Sequence, residues 1–145
     1  MALSSFAATP LVTPPTPSSA PSGYQPGVCN IGPAEIARRR RAGHMGLLVT
    51  VVVLAAVVAI GAPPLVRLIV ALPAAGAASG YLQAWLKFCA GFGSRGIFNF
   101  DALGQAHQVV EAEARARDRA KAIQIGLASL GIGVLVAVVA VLLPI

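Results

Sequence analysis

Charged side chains are scarce in this sequence. Only 11% of its 145 residues are Asp, Glu, Lys or Arg, and five of them are acidic. A water-soluble domain usually carries about 25% charged residues, so this chain has too few to cover a globular surface. Cysteine is also rare, with two residues, which excludes a disulfide-stapled scaffold. This composition argues against a soluble enzyme and against a disordered chain.

The usual catalytic arrangements are missing too. No acidic residue falls inside a long apolar run, so the sequence has no intramembrane proton relay of the usual kind. It also has no phosphate-binding loop, no metalloprotease motif and no Ser/His/Asp arrangement. We therefore expect a protein that is not an enzyme and that uses no cofactor.

Apolar side chains, in contrast, are abundant. Hydrophobic residues make up 57% of the chain, and the mean hydropathy is +0.78. The formal charge is nonetheless +6, and the isoelectric point is near 10.4. A chain that is both apolar and basic is typical of a membrane protein with its cations on one side.

Three apolar stretches are each long enough to cross a bilayer as a helix. They cover about residues 45–62, 67–86 and 123–143. Residues 61–64 leave room only for a tight turn between the first two, and Pro73 predicts a kink in the second. The sequence thus predicts an all-α integral membrane protein, with a helical hairpin followed by a third transmembrane helix.

The regions outside these spans complete the predicted organisation. Residues 1–28 are rich in Pro, Ser and Thr and carry no charge, which predicts a disordered tail. A docking motif for a proline-reading partner is the alternative. Residues 29–145 form the helical membrane domain. Within it, residues 87–122 are a connector that ends in a charged interfacial helix over residues 102–122, with Asp101 as its N-cap.

The cations are distributed unevenly about the three spans. Four arginines precede the first span, six cations lie between the second and the third, and Arg67 alone lies between the first and the second. Segments rich in Lys and Arg stay in the cytoplasm. We therefore expect a protein of a bacterial cytoplasmic membrane, with its N-terminus inside and its C-terminus outside.

These basic residues also predict a partner. A run of arginines can bind nucleic acid, but here it adjoins an apolar span, so we expect anionic lipid headgroups and no nucleic acid. Anionic-lipid binding is accordingly one candidate function. The predicted headgroup contacts are Arg38, Arg39, Arg40, Arg41, Arg115, Arg117, Arg119 and Lys121.

Small residues recur at helical spacing in the second and third spans. Such ridges let another helix approach closely. The leading expectation is therefore a non-enzymatic accessory or structural protein that packs against itself, as a homo-oligomer, or against a larger membrane protein. The predicted packing residues are Gly76, Gly80, Ala84, Gly126, Ser129 and Gly133.

The cysteines and histidines all fall on the predicted cytoplasmic side. A Cys₂His₂ set can bind zinc tetrahedrally, and two thiols alone can support sulfur or redox chemistry. The sequence contains neither C-x-x-C nor H-x-x-x-H, so ordinary thiols in a reducing compartment and unrelated imidazoles are the simpler interpretation. The candidate metal ligands are Cys29, His44, Cys89 and His107.

Several short motifs between residues 30 and 100 resemble a known family. They are Asn30-Ile31-Gly32, the arginine run 38–41, Gly80, Phe88-Cys89 and Gly96-Ile97-Phe98-Asn99. In these the chain resembles the small two-span inner-membrane domain of bacteria that is sometimes fused to rhodanese sulfurtransferases. The resemblance implies a membrane-embedded, dimerising hairpin near sulfur chemistry, with Cys89 as the residue that carries it. The chain departs from the family in having Ala90 where a proline often follows the cysteine, and in adding a third span.

Overall fold

A computed structural model of the chain describes residues 23–144, which are mostly helical (70%). Helix α1 spans Pro33–Ala59 and the short helix α2 spans Pro64–Arg67, and a 3₁₀ turn at Leu68–Val70 leads into α3, Ala71–Trp85. Helix α4 (Ala90–Arg95) precedes strands β1 (Ile97–Phe98) and β2 (His107–Gln108), and α5 covers Ala112–Leu142. The two strands, of two residues each, pair antiparallel and add a small sheet to the predicted helices.

Within the described residues, three helices are long and apolar enough to cross a membrane: Pro33–Ala59, Pro64–Trp85 and Ala112–Leu142. The three predicted apolar helices are thus confirmed, although the first and the last extend beyond their apolar stretches at the basic ends. Many large apolar side chains on these helices point away from the protein, among them Leu48 and Leu127, which are 56% and 65% exposed. Outward-facing aliphatic side chains are what a hydrocarbon environment favours.

Helix α3 packs along both α1 and α5. Its contact with α1 is close because glycine faces glycine: a Cβ added at Gly80 would lie 2.4 Å from the Gly43 amide nitrogen. On its other side, a Cβ added at Gly133 of α5 would lie 2.6 Å from the Ala71 carbonyl oxygen. The missing side chains at these positions therefore set the distances between the three long helices.

The irregularity predicted at Pro73 is found one turn earlier, in the 3₁₀ turn at Leu68–Val70. Proline has no N–H, so Pro73 cannot donate to the carbonyl of Ile69, four residues before it. The regular α-helical bonding is interrupted at that point.

Arg67 lies buried at the same end of the helices, 4% exposed. Its guanidinium donates to the carbonyl of Ala62 at 2.9 Å and to those of Leu143 and Ala140 at 3.0 and 3.4 Å. The last carbonyls of a helix have no partner within the helix. Arg67 therefore caps the C-terminal end of α5.

The predicted helix over residues 102–122 is wrong in its first half. Residues 101–111 form turns and strand β2, and α5 begins only at Ala112, with Glu111 as its N-cap. The charged helix of the prediction is therefore the first part of α5, continuous with the third apolar stretch.

Two local features explain why residues 101–111 are not helical. Gly104 has a φ of +93°, which an α-helix does not contain, and Val109 donates its N–H to the Gly96 carbonyl across the sheet. Asp101 is consequently no N-cap; its carboxylate instead bonds His107 at 2.7 Å.

The last six residues of the segment predicted as a disordered tail, 23–28, pack against the helices. Tyr24 donates its hydroxyl and Gly27 its N–H to the carboxylate of Asp118 on α5, at 2.9 and 2.7 Å. The Tyr24 ring also stacks on Phe98, with 4.7 Å between ring centroids. Residues 23–28 thus belong to the folded part, and the remainder of the tail prediction falls on residues 1–22, outside the described residues.

Residues 23–32 and 87–111 pack together at the basic ends of α1 and α5, and we call them the cap. The segments are joined by backbone hydrogen bonds from Asn30 to Lys87 and from Gly32 to Asn99, at 3.2 and 2.8 Å. A parallel bridge between Ile31 and Asn99 continues this pairing. The cap buries the side chains of Asn30 and Asn99 at this end of the helices, near the buried Glu35 of α1 and Asp118 of α5.

Candidate functional site

The predicted Cys₂His₂ metal site does not form. Within residues 23–144, no three His, Cys, Asp or Glu side chains lie close enough to hold a metal ion. His44 is about three turns into α1 and contacts the Tyr81 hydroxyl at 2.7 Å, whereas His107 lies on β2. Cys29 and Cys89 are free thiols. A predicted location on the same side of the membrane does not bring these four side chains together, because each of them has a different local environment.

Cys89 lies inside the cap and is 1% exposed. Asn30 accepts the Cys89 N–H at 2.7 Å and donates to the Cys89 carbonyl at 3.1 Å, while Gln83 accepts the N–H of Ala90 at 3.0 Å. The sulfur accepts the Phe92 N–H at 3.4 Å, at the start of α4. The side chains thus accept the N–H groups of Cys89, Ala90 and Phe92, which lie at the start of α4 and have no acceptor within it, and they fix the position of the thiol.

A guanidinium from α1 meets the Cys89 sulfur. Nη2 of Arg39 lies 2.9 Å from Sγ, and the guanidinium carbon lies 5.9 Å from the centroid of the Phe92 ring. A neighbouring cation stabilises a thiolate, which is the nucleophilic form of cysteine. The arrangement therefore provides a positioned sulfur with a positive charge in contact.

Glu35 also lies beside the guanidinium of Arg39. Its carboxylate is 1% exposed, and neither oxygen has a hydrogen-bond partner among the described residues. It lies 3.6 Å from the Arg38 guanidinium and 3.8 Å from Nη2 of Arg39. A buried carboxylate requires such nearby cations, and its place in the first turn of α1 adds the favourable helix dipole. Glu35 is thus a positioning residue for the Arg39–Cys89 contact.

The six predicted packing residues fall into two groups. The first group is buried between helices of this chain and comprises Gly80, Ala84, Ser129 and Gly133. The second group comprises Gly76 and Gly126, where an added Cβ would meet nothing within 4 Å. Ile125, and not Gly126, occupies the buried face of α5. The residues that follow the small-residue spacing therefore include some that contact other helices of the chain and some that face open space.

The eight predicted headgroup residues also differ in their surroundings. Three of them have acidic neighbours: Arg38 and Arg39 lie beside Glu35, and Arg117 pairs with Glu113. Arg115 and Arg119 line a cleft between α4 and α5. The remaining three are Arg40 and Arg41, which are exposed, and Lys121, which is half-buried.

The sequence did not predict four buried polar residues in and next to the cap. Asn30, Glu35, Asn99 and Asp118 are each at most 1% exposed. One signal pointed to Asp118, because it lies at helical spacing between Ala114 and Ala122 on the small-residue face of α5. The asparagines gave no comparable signal, since they lie outside the periodic segments.

The contact between Tyr24 and Asp118 alters the acid–base chemistry of the phenol. Burial raises the pKa of Tyr24 above its ordinary value, and the hydrogen bond to the Asp118 carboxylate raises it further. Tyr24 is therefore held in the neutral form that donates this bond.

No protein family, curated protein or solved structure matches this chain. The resemblance of residues 30–100 to the two-span inner-membrane domain accordingly stays a prediction. The fold itself defines a class: a mostly helical protein with three candidate membrane spans and a polar cap at one end of them.

Proposed function

We propose that this chain is a small, non-enzymatic, multi-pass membrane protein that acts through helix contacts in the bilayer, with a second copy of itself or with a larger membrane protein. It sits in a bacterial cytoplasmic membrane, with the cap inside and the end of α5 outside. The positive-inside rule supports this orientation, because every Lys and Arg except Arg67 lies at the cap end.

The observation that carries the proposal is the open space over Gly76. Elsewhere on α3, Gly80 contacts α1 and Ala75 contacts α5, but an added Cβ at Gly76 would meet nothing within 4 Å. Leu72, one turn earlier on the same face, is 75% exposed. A glycine on an outward face gives a second helix room for close approach, which is how small residues support association in membranes.

Substitution of Gly76 by leucine tests this function. Gly76→Leu is expected to reduce assembly strongly, because the side chain occupies the space that a second helix needs. The measurement is gel filtration with light scattering in mild detergent, together with co-purification of two differently tagged copies. Gly126→Leu examines the corresponding open position on α5.

Gly131→Leu is the matched control, because Gly131 is also exposed and open but lies outside the predicted ridge. It is expected to leave assembly unchanged. Wild-type assembly in both Gly76→Leu and Gly126→Leu would contradict the proposed function, as would an equal loss in the control.

A second candidate function is thiol chemistry at Cys89, which the 2.9 Å contact with Arg39 favours. In this proposal the thiolate attacks one oxygen of hydrogen peroxide, the O–O bond breaks and hydroxide leaves. Sulfur is oxidised by two electrons to a sulfenic acid. A small oxidant suits a buried thiol that larger reagents do not reach.

The oxidation is measured by exposing the folded protein to hydrogen peroxide and then denaturing it in the presence of dimedone, so that the trap reaches every sulfenic acid. The adduct on each cysteine is quantified by mass spectrometry. Cys89 is expected to give the larger adduct, and Arg39→Gln to lower it several-fold, since the guanidinium that contacts the sulfur is lost. Arg38→Gln serves as the control, because Arg38 contacts Glu35 and not the sulfur. An adduct on Cys29 alone would exclude the thiol function.

A further inference from the structure

Three arginines surround one cleft at the edge of the cap. Arg95 ends α4, and Arg115 and Arg119 lie one turn apart on α5; together they line a space of about 350 Å³. Gly96 also lines the cleft, with a φ of +68°, and the aliphatic part of Arg115 lies over its Cα. Within residues 23–144 none of the three arginines pairs with an acidic side chain. The cleft therefore concentrates three uncompensated positive charges.

A second cleft, also of about 350 Å³, adjoins the first and has a different character. The two share Ser94 and Arg119, but the second is otherwise lined by small and apolar residues, among them Gly91, Ala122 and Ile123. Ala122 and Ile123 begin the apolar part of α5. The combined groove thus runs from a cationic end to an apolar end, at the level where a candidate membrane span begins.

We infer that this groove binds one anionic phospholipid. The phosphate lies among Arg95, Arg115 and Arg119, and the start of an acyl chain lies along Ala122 and Ile123. Guanidinium groups bind phosphate oxygens through paired hydrogen bonds, which makes arginine well suited to this headgroup.

The adjoining apolar cleft distinguishes a phospholipid from other phosphate compounds. Inorganic phosphate or a nucleic acid would use the three arginines but would gain nothing from Gly91, Ala122 and Ile123. Of the predicted headgroup residues, Arg115 and Arg119 line this groove, whereas Arg117 pairs with Glu113 and Arg38 lies beside Glu35. The proposed site therefore uses two of the predicted headgroup residues, Arg115 and Arg119, together with Arg95, which was not among them.

Native mass spectrometry of the full chain in mild detergent tests the site with three probes: phosphatidylglycerol, phosphatidylcholine and inorganic phosphate. The wild type is expected to bind one phosphatidylglycerol saturably and the zwitterionic lipid much more weakly. Each arginine near an anionic headgroup contributes about fivefold in affinity. The triple variant Arg95→Gln/Arg115→Gln/Arg119→Gln is therefore expected to weaken phosphatidylglycerol binding by about 100-fold.

The matched control removes the same charge elsewhere. Arg38→Gln/Arg41→Gln/Arg117→Gln lowers the net charge equally but leaves the groove intact, so it is expected to change binding by less than about threefold. An equal loss in the two triple variants would overturn the inference, because binding would then follow net charge alone.

Two single variants separate lipid from free phosphate and guard against a folding defect. Gly91→Leu fills the apolar end without changing charge and is expected to weaken lipid binding, while Arg119→Gln alone is expected to cost about fivefold. Circular dichroism on heating verifies that each variant is folded. Inorganic phosphate that binds as tightly as the lipid, together with an unaffected Gly91→Leu, would overturn the assignment to phospholipid.

Discussion

At Gly80 the backbone of α3 comes so close to α1 that even a methyl group has no room: an added Cβ would lie 2.4 Å from the Gly43 nitrogen and 2.9 Å from the Arg39 carbonyl oxygen. Both neighbours are backbone atoms, which cannot move without shifting a whole helix. Four residues earlier, Gly76 faces open space. The two positions therefore differ in their tolerance of a side chain.

Substitution at Gly80 is expected to lower stability, whereas substitution at Gly76 is expected to affect assembly. Gly80→Leu should lower the free energy of unfolding by about 1–3 kcal/mol or more, because overpacking forces α1 and α3 apart. Gly76→Leu, the matched change, should alter it by less than about 0.5 kcal/mol. Thermal unfolding in detergent, followed by circular dichroism, measures both, and equal melting temperatures for the two variants would contradict the helix contact described above.

Residue spacing predicted the small residues of both spans but not which of them are buried. Small residues at i, i+4 and i+7 share one face of a helix. Which of them are buried depends on the side from which the neighbouring helix packs. On α5 the buried face passes through Ile125, so Gly126 lies to one side of it. The tertiary position of α3 decides this, and no local pattern in α5 encodes it.

At the scale of elements, the long apolar helices were predictable because hydrophobic length alone identifies a candidate span. The start of α5 was not predictable, because residues 102–111 are mostly polar and are compatible with a helix. Their course depends on strand β1, which pairs Phe98 with His107 and so holds the segment away from the helix axis. A pairing of only two residues on each strand leaves no periodic signal in the sequence.

The docking of the N-terminal segment onto α5 depends on the protonation of Tyr24. Because its pKa is raised in the folded chain, the contribution of Tyr24 to stability is fully present below the ordinary tyrosine pKa of about 10 and is lost as the pH rises above it. Absorbance at 295 nm follows tyrosinate formation directly, and Tyr24→Phe removes the Tyr24 component from the titration.

Asp118→Asn tests whether the Asp118 carboxylate contributes to the raised pKa of Tyr24. Without the carboxylate, the pKa of Tyr24 is expected to move down toward its ordinary value, and the segment should detach at a lower pH. Glu113→Gln, on an exposed part of the same helix, is the control and should leave the titration of Tyr24 unchanged. A titration that is the same in Asp118→Asn and in the wild type would contradict the contact.

At the scale of the whole molecule, polar groups are concentrated at the two ends of the helices. The cap end holds Asn30, Glu35, Asn99 and Asp118, all buried, and the opposite end holds the buried Arg67. Between them, Thr50 and Ser129 donate their hydroxyls to carbonyls of their own helices, at 2.7 Å in both cases. Polar side chains in mid-helix are thus satisfied locally, as a membrane interior requires.

The sequence showed that the cations are distributed unevenly between the two ends of the helices. It did not show why Arg67 alone lies at the end opposite the cap. Arg67 caps α5 from a position 73 residues before Ala140. The one cation that counts against the topology prediction therefore joins α2 to the end of α5.

The central claim, a three-span protein with its cap in the cytoplasm, is tested most directly by labelling single cysteines in intact bacterial cells. In a Cys29→Ser/Cys89→Ser background, Leu65→Cys places a thiol near the Arg67 end and Leu103→Cys places one on the cap; both leucines are exposed. A membrane-impermeant maleimide is expected to label position 65 from outside, and position 103 only after permeabilisation. Labelling of position 103 in intact cells, or recovery of the protein in the soluble fraction, would contradict the account.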